Sequence, residues 1–183
     1  RYNLRHILWF EFVDKNLSGR TRDERKLGKK YKILLRKTGS DLIATFDDSG
    51  IYPEQSLYFA YTENDDKYLL LSILAILNSK LMNCYYHNFA VTNRDSTPQL
   101  KNIDWDNFPI ILPRENTKVV NFVNRMLSLN KQLQEIGDKK TAQTAKLEEE
   151  IKKTDEEINN LVYQLYGITE EEKKIIEESV TKR

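Results

Sequence analysis

The feature that most constrains the fold is a long apolar run that begins at Tyr68 and continues as YLLLSILAIL. The polar phrase Asn78-Ser79-Lys80 interrupts it, and LMNCYYHNF follows. A run of this length predicts a buried helix over about residues 66–86, because strands are usually much shorter. A polar loop, AVTNRDST, comes next, and PQLKNIDWDNFPIILP closes the stretch at residue 113. The apolar residues between the last two prolines indicate an extended core segment.

Three short segments before this helix have the composition of β-strands: residues 31–36, 41–46 and 55–61. Residues 47–50, Asp-Asp-Ser-Gly, have side chains suited to a hairpin turn between the second and third strands. Residues 5–13 predict a further strand or a short helix, and residues 15–30 predict an exposed loop. Three strands and one long helix predict an α+β fold with a small mixed or antiparallel sheet.

From residue 114 onwards the helical period dominates. Asn116 or Thr117 is placed to cap a helix over 117–136, and a second helix over 142–166 ends at a glycine, a common stop signal. A capping box opens a third helix over 169–180. The apolar positions of the first helix, Val119, Val123, Met126 and Leu133, recur at spacings of four and three, with Asn130 in one slot of the pattern. The second helix has the same spacing over Leu147, Ile151, Thr154, Ile158, Leu161 and Leu165. This spacing predicts an antiparallel, coiled-coil-like helical hairpin, so we expect an α+β domain at 1–113 and a helical spacer or docking region at 114–183.

Charge is segregated along the chain, although the net charge is only +1. Residues 15–37 contain ten basic and two acidic residues, a net charge of +8. Residues 38–66 contain seven acidic residues and no lysine or arginine, a net charge of −7. A local basic block of this kind is what a polyanion would meet. A solvated loop that happens to be basic explains the same pattern equally well.

Motifs for catalysis are missing from the sequence. There is no glycine-rich phosphate loop and no G-x-S-x-G turn, and neither histidine stands at metal-ligand spacing from the other or from Cys84. The sequence therefore predicts that this part of the protein is not an enzyme and holds no metal or cofactor. The longest uninterrupted apolar stretch is about half of what crosses a bilayer, and no signal peptide is visible, so we expect a soluble cytoplasmic protein with no membrane partner. Because the chain starts without methionine, we expect it to be part of a longer protein.

The polar loop after the long helix carries side chains that are able to read base edges. Arginine pairs with guanine, and asparagine or glutamine with adenine, in the major groove. Most polar loops bind nothing, so these residues alone leave the DNA interpretation open.

The order of the phrases in the chain adds a resemblance. YKILLRKTGSDLIATFDDSGIYPEQSLYFAY, LLSILAILNSKLMNCYY, PQLKNIDWDNFPIILP and DEEINNLVYQLYGITEEE occur in that order between residues 31 and 172, within a resemblance that covers about residues 31–177. Together they resemble the TaqI-like specificity domain, the target recognition domain at the C-terminal end of Eco57I-type (type IIG) restriction-modification enzymes. The layout is also similar to half of a type I specificity subunit, in which a conserved helix follows a recognition domain.

The resemblance implies a bacterial parent protein that methylates adenine in a specific DNA site with S-adenosylmethionine, with Mg²⁺ for any fused nuclease. It implies that the present part reads double-stranded DNA and that the methyltransferase is a domain in cis or a subunit in trans. Base-reading residues vary within the family, so the shared phrases indicate scaffold. We expect Asn78 to cap or interrupt the long helix, and Pro98, Gln99 and Phe108-Pro109 to fix how the loop rejoins the sheet.

Two sets of DNA contacts follow as hypotheses. Phosphate contacts are expected from basic residues of the block: Arg20, Arg22, Arg25, Lys26, Lys29, Lys30, Arg36 and Lys37. Base or groove contacts are expected from residues around the polar loop: Tyr86, His87, Asn93, Arg94 and Ser96. The alternative is a protein-interaction module, in which the helical hairpin docks on a methyltransferase subunit or on a second copy.

Overall fold

The structure is a computed structural model, and it describes residues 23–90, 98–113, 117–137 and 140–181 of the chain. The first half contains, in order, α1 (Glu24–Leu27), β1 (Lys32–Arg36), β2 (Ala44–Asp47), β3 (Leu57–Ala60), α2 (Lys67–Asn78), α3 (Lys80–Tyr85), a π-helical turn (Tyr86–Ala90) and α4 (Asn102–Asp106). The second half consists of α5 (Thr117–Ile136), α6 (Ala142–Tyr166) and α7 (Glu170–Thr181). This combination of a small sheet with helices confirms the predicted α+β class. The element expected at residues 5–13 lies outside the described residues.

The three strands form an antiparallel sheet in the order β2-β1-β3. Ile33 of the central strand lies opposite Phe46 on one side and opposite Ala60 on the other. The hairpin expected across residues 47–50 is therefore wrong, because β1 lies between the two strands that this turn connects. The loop predicted at residues 15–30 also differs, since it includes the single helical turn of α1.

Residues 47–50 nevertheless form a tight turn. The Asp47 carboxylate accepts hydrogen bonds from the backbone N–H groups of Ser49 and Ile51, both at 2.9 Å. Gly50 adopts a φ of +76°, in the left-handed region that glycine enters without strain. Turn chemistry of this kind determines the local backbone, whereas the strand order depends on how the sheet packs.

α2 is the buried helix that the apolar run predicts. Asp66 caps it by accepting the N–H of Leu69 at 2.9 Å, and its leucines pack on the sheet face that carries Ile33 and Leu35. The helix ends at Asn78, because Ser79 has an extended backbone. The Ser79 hydroxyl then caps α3. The polar phrase in the sequence therefore marks a real break, with Ser79 rather than its neighbour as the cap.

The closing stretch at residues 104–113 is not a core strand. α4 covers its beginning, and residues 108–113 have irregular backbone in which Ile111 and Leu112 are 46% and 49% exposed. A strand needs a neighbour with free backbone groups, and here a side chain takes that place. The Tyr166 hydroxyl of α6 accepts the N–H of Ile111 at 3.1 Å and donates to the carbonyl oxygen of Pro109 at 2.6 Å.

The helices of the second half have the predicted bounds within one residue. α5 and α6 pack against each other as a hairpin, and Gly167 ends α6 in the left-handed conformation at φ +67°. Thr169 is the N-cap of α7 rather than its first residue. The buried stripe of α5 also includes Val120 and Leu129, while Leu133 is only half-buried. The stripe differs from the predicted one because α5 packs on α2 as well as on α6.

One hydrophobic core extends through both halves of the chain. Ile33 of the sheet, Leu74 of α2, Val123 of α5 and Val162 of α6 belong to a single buried cluster. α2 contacts the sheet as well as the helical hairpin. The domain boundary expected at residue 113 stays a prediction, and the core crosses it.

Candidate nucleic-acid interface

The turn between β1 and β2 is attached to the chain on both sides of residues 91–97. On the return side, the N–H of Gly39 donates to the carbonyl oxygen of Pro98 at 3.0 Å, and the N–H of Leu100 donates to that of Lys37 at 2.8 Å. On the departing side, the Tyr86 hydroxyl donates to the carbonyl oxygen of Gly39 at 2.9 Å. The scaffold role expected for the segment beginning at Pro98 is thus a direct backbone link to this turn.

Glycine is required at position 39 of this turn. Its φ of +145° is rarely adopted by other residues, and a Cβ there would lie 2.9 Å from the Nη2 atom of Arg36. The Nε of Arg36 donates to the carbonyl oxygen of Thr38 at 3.1 Å, while the side chain as a whole is exposed. The guanidinium is therefore held over the turn and remains accessible to a phosphate.

His87 adds a third attachment. Its ring is 4% exposed, and its Nε2 lies 3.1 Å from the Oδ1 of Asp41, whose side chain is 54% exposed. Tyr86 is 2% exposed, and burial raises the pKa of its hydroxyl. Both of these expected base readers are therefore buried and bonded to the connection between β1 and β2. Their contact with bases stays a prediction. The other three expected readers, Asn93, Arg94 and Ser96, lie outside the described residues.

Two buried asparagines hold β2 to the helices. The side-chain amide of Asn78 accepts the N–H of Ala44 and donates to its carbonyl oxygen, both at 3.0 Å. The Asn83 Oδ1 accepts the N–H of Leu42 at 2.9 Å. β2 is an edge strand, and these amides satisfy backbone groups that would otherwise be buried without partners. The residues that break the apolar run therefore position the turn.

Part of the acidic block folds against the basic block. The ammonium group of Lys29 donates to the carbonyl oxygen of Glu63 at 2.9 Å and lies 3.9 Å from the Asp65 carboxylate. Lys32 and Asp47 form an ion pair at 3.1 Å in which both side chains are fully buried. Burial lowers the pKa of Lys32, and its hydrogen bond to Asp47 opposes this shift. These two lysines are thus already neutralised within the fold.

The remaining cations near α1 face water. Arg25 is 93% exposed with its Nε 3.5 Å from the Asp23 carboxylate, and Lys26 is exposed. Lys30 is also exposed, with its ammonium group 5.1 Å from the centre of the Tyr31 ring. Arg20 and Arg22 lie outside the described residues.

A second group of cations lies at the other end of β1. Lys37 and Lys101 line a surface groove with polar and aromatic neighbours: Thr38, Ser56, Tyr58, Gln99 and Leu100. The Lys37 ammonium group lies 4.7 Å from the centre of the Tyr58 ring and donates to the carbonyl oxygen of Gln55. Glu54 brings a negative charge to this rim, and hydrogen bonds from Ser56 lower the pKa of its carboxyl.

The two cationic groups are separated by the length of β1. Lys30 and Lys37 are seven positions apart along an extended chain, which corresponds to about 23 Å. The structure thus places the six expected phosphate contacts that it describes in two groups: Arg25, Lys26, Lys29 and Lys30 near α1, and Arg36 and Lys37 at the end of β1. A span of this size is comparable to half a turn of duplex DNA, which rises 34–36 Å in about ten base pairs.

Sequence reasoning missed two exposed residues next to the loop. Lys101 follows directly on the phrase Pro98-Gln99-Leu100, and its side chain forms no ion pair with the described carboxylates. Phe89 belongs to the apolar run and is nevertheless 77% exposed at the end of the π-helical turn. The position of Lys101 a few residues after 91–97 could have identified it as a candidate phosphate contact. The sequence gives no sign that Phe89, within an otherwise buried apolar run, is exposed to water.

Across the part of the chain that the structure describes, no three His, Cys, Asp or Glu side chains gather to form a metal site. Among the same residues, no single helix is both long and apolar enough to cross a membrane. The joined helices Lys67–Asn78 and Lys80–Ala90 meet that length and composition only as a pair bent by 55°.

The fold is an α+β arrangement in which the turn between β1 and β2 carries Arg36 and Lys37 and is hydrogen-bonded to the residues on either side of 91–97. Comparison with known families identifies its family. The family model of the TaqI-like C-terminal specificity domain matches residues 2–110, and the chain therefore belongs to this family. It is a DNA sequence-specificity module of a restriction-modification enzyme, which makes it a recognition part rather than a catalytic one. No curated protein matches the chain.

Proposed function

We propose that this module reads one DNA sequence and positions an adenine-specific DNA methyltransferase on it, in cis or in trans. The parent enzyme is of type IIG, and S-adenosylmethionine and Mg²⁺ serve its catalytic parts. This role requires access to cellular DNA and hence a cytoplasmic location. The family membership supports DNA as the ligand, and the resemblance in the sequence supports the class of parent enzyme.

The observation that carries the proposal is the attachment of the β1–β2 turn to both sides of residues 91–97. The turn that carries Arg36 and Lys37 is hydrogen-bonded to Tyr86 before residues 91–97 and to Pro98 and Leu100 after them. Phosphate contacts fix the register of a protein on DNA, and base contacts select the sequence. On this proposal, Arg36 and Lys37 supply phosphate contacts, and residues 91–97 supply base contacts.

Selection from a duplex library with a randomised centre tests the proposal. The chain is expected to enrich one sequence and to bind it with an affinity that falls steeply as salt is raised. Each phosphate contact contributes about 0.9 to the slope of log affinity against log salt. The double variant Lys37→Ala/Lys101→Ala is therefore expected to reduce that slope by about 2.

Lys146 and Lys152 provide the matched control, because both are exposed on α6, away from the turn. Replacing both with alanine removes the same charge and should leave the slope unchanged. A chain that enriches no sequence, or equal slopes for the two double variants, would contradict the proposal.

A second function is supported by a groove on the helical half. Pro113, Val119, Leu161 and Leu165 line it between α5 and α6, and Ile111 and Leu112 are half-exposed in the segment that precedes it. A groove lined by these apolar residues together with Thr117, Lys118, Asn121 and Gln164 suits the docking of the methyltransferase part. Leu161→Asp is expected to abolish co-purification with the methyltransferase that the same gene or its neighbour encodes, without changing DNA selection.

A further inference from the structure

A row of five aromatic rings connects the cationic groove with the foot of the loop. Successive ring centres lie 6.5 Å apart for Tyr58 and Trp105, 5.7 Å for Trp105 and Phe108, 5.8 Å for Phe108 and Tyr85, and 5.3 Å for Tyr85 and Phe89. These separations are typical of packed aromatic pairs. We call these five residues the aromatic row.

The aromatic row is anchored at one end and exposed at the other. Phe108 is 8% exposed, and Tyr58, Trp105 and Tyr85 pack partly buried against the core. Phe89 is 77% exposed. It follows Tyr85 by four residues on the same helical face, so the Tyr85 ring supports it from behind. A supported ring loses little conformational freedom on binding, which favours its use as a rigid contact.

Phe89 lies two positions before residues 91–97 in the chain. Phe89 and Ala90 are the last described residues before 91–97. The turn that carries them is π-helical, a conformation that is rare and frequently found at functional sites.

We propose that Phe89 stacks on a base of the DNA duplex by inserting at a base-pair step. This inference rests on the proposed function, since it requires DNA at the loop. Apolar side chains that insert between base pairs unstack the step and kink the duplex, and aromatic rings stack on bases of any sequence. The ring would add affinity and a fixed position along the DNA.

Charge around the aromatic row agrees with this assignment. Lys37 and Lys101 lie beside Tyr58 at the groove end of the row, where they are placed for phosphates of the same duplex at a distance from the inserted ring. Asp104 and Asp106 lie near the middle of the row, close enough to Tyr58 to help raise the pKa of its hydroxyl. These negative charges would repel a DNA backbone that ran along the whole row. Stacking by the uncharged Phe89 ring at the exposed end of the row does not require a positive surface.

The test uses the duplex that the chain selects, with 2-aminopurine replacing one adenine at a time in and beside the site. This base fluoresces more strongly when it is unstacked. The chain is expected to raise the fluorescence at one position. Phe89→Ala should abolish that rise and weaken binding about tenfold, while Phe89→Trp should retain both because it keeps a stacking ring.

Tyr68 provides the matched control, because it is an aromatic residue 63% exposed at the opposite end of the helical run. Tyr68→Ala should leave fluorescence and affinity unchanged. The melting temperature of Phe89→Ala should equal that of the original chain, since the ring is exposed. If Phe89→Ala binds with the original affinity and fluorescence, the inference is wrong while the proposed function stands.

Two other outcomes are distinguishable. If Phe89→Ala binds DNA normally but no longer binds the catalytic part, the ring docks on protein and the inference is overturned. If the unaltered chain enriches no sequence, the proposed function fails and the inference fails with it.

Discussion

Asn78 forms the contact on which the position of β2 depends. Asn78→Ala would leave the N–H and the carbonyl oxygen of Ala44 buried without partners, and each such group costs about 1–3 kcal/mol. We expect the free energy of unfolding to fall by about 3 kcal/mol, as measured by urea denaturation. Asn124→Ala, at an exposed position of α5, is the control and should change it by less than about 0.5 kcal/mol. An equal loss in both variants would contradict the role of Asn78.

Replacing Tyr163 is expected to change the stability in the opposite direction. Its hydroxyl is buried and has no hydrogen-bond partner in the part of the chain that the structure describes, and burial raises its pKa. Tyr163→Phe removes a desolvated group without opening a cavity, so it should stabilise the protein by about 1 kcal/mol. Tyr166→Phe is the matched comparison and should destabilise it, because that hydroxyl bonds to two backbone groups. Thermal melting of both variants checks the difference, and a loss for Tyr163→Phe would show that its hydroxyl has a partner.

At the residue scale, the sequence identifies residue types but not the direction in which they point. Tyr86 and His87 are of types that read bases, but the structure buries both in the π-helical turn, and their contact with bases stays a prediction. On a helix, a shift of one position is enough to move a side chain from the core to the surface. Here Tyr86 is buried while Phe89 is exposed. The direction of each side chain here depends on where α3 begins, and α3 begins at its cap, Ser79. The break at Ser79 changes the rotation of the following residues about the helix axis, and the hydrophobic periodicity of the sequence does not reveal this change.

α7 depends on a reciprocal cap at its start. The Glu172 carboxylate accepts the N–H of Thr169 at 2.8 Å and its hydroxyl at 3.0 Å, and these bonds hold the pKa of Glu172 below its usual value. A carboxyl with a lowered pKa stabilises the fold above its unfolded pKa, and this contribution is lost as pH falls through the folded pKa. Thr169→Ala should therefore raise the pKa of Glu172 in an NMR titration and reduce the acid sensitivity of α7. Thr169→Ser keeps the hydroxyl and should leave the titration unchanged; a rise in the serine variant as well would point to the methyl group instead.

At the element scale, signals within a few residues were sufficient for α5, α6 and α7. Gly167 and Thr169 determine where these helices end and begin, and both act on their own backbone or the next turn. The strand order was not predictable in this way, because the turn at residues 47–50 is compatible with several pairings. The segment at 108–113 looked like a strand from its apolar residues, yet Tyr166, which lies more than fifty residues later, satisfies its backbone groups instead.

At the scale of the whole molecule, the basic block contains cations that form ion pairs within the fold and cations that stay exposed. The sequence alone does not distinguish the two kinds. Lys29 and Lys32 pair with residues of the acidic block and stabilise the fold, whereas Arg25, Lys26 and Lys30 remain exposed. A net charge per segment therefore overstates what DNA would meet. Which cations pair internally depends on long-range packing of the sheet, and only the structure shows it.

The whole molecule also predicts that neither half folds alone. Met126 of α5 is buried in the core that contains α2, the N–H of Lys80 donates to the Asn159 Oδ1 of α6 at 2.7 Å, and the Lys80 ammonium group pairs with Glu177 of α7 at 3.0 Å. A chain ending at residue 113 would expose the apolar face of α2, so we expect it to bind hydrophobic dyes and to lose cooperative melting. Met126→Ala in the full chain should cost about 3 kcal/mol, while the shortened chain should not select DNA. A shortened chain that melts cooperatively and enriches the same sequence would instead establish residues 1–113 as an independent domain. In that case the helical half would serve as a spacer or docking region rather than as part of the recognition fold.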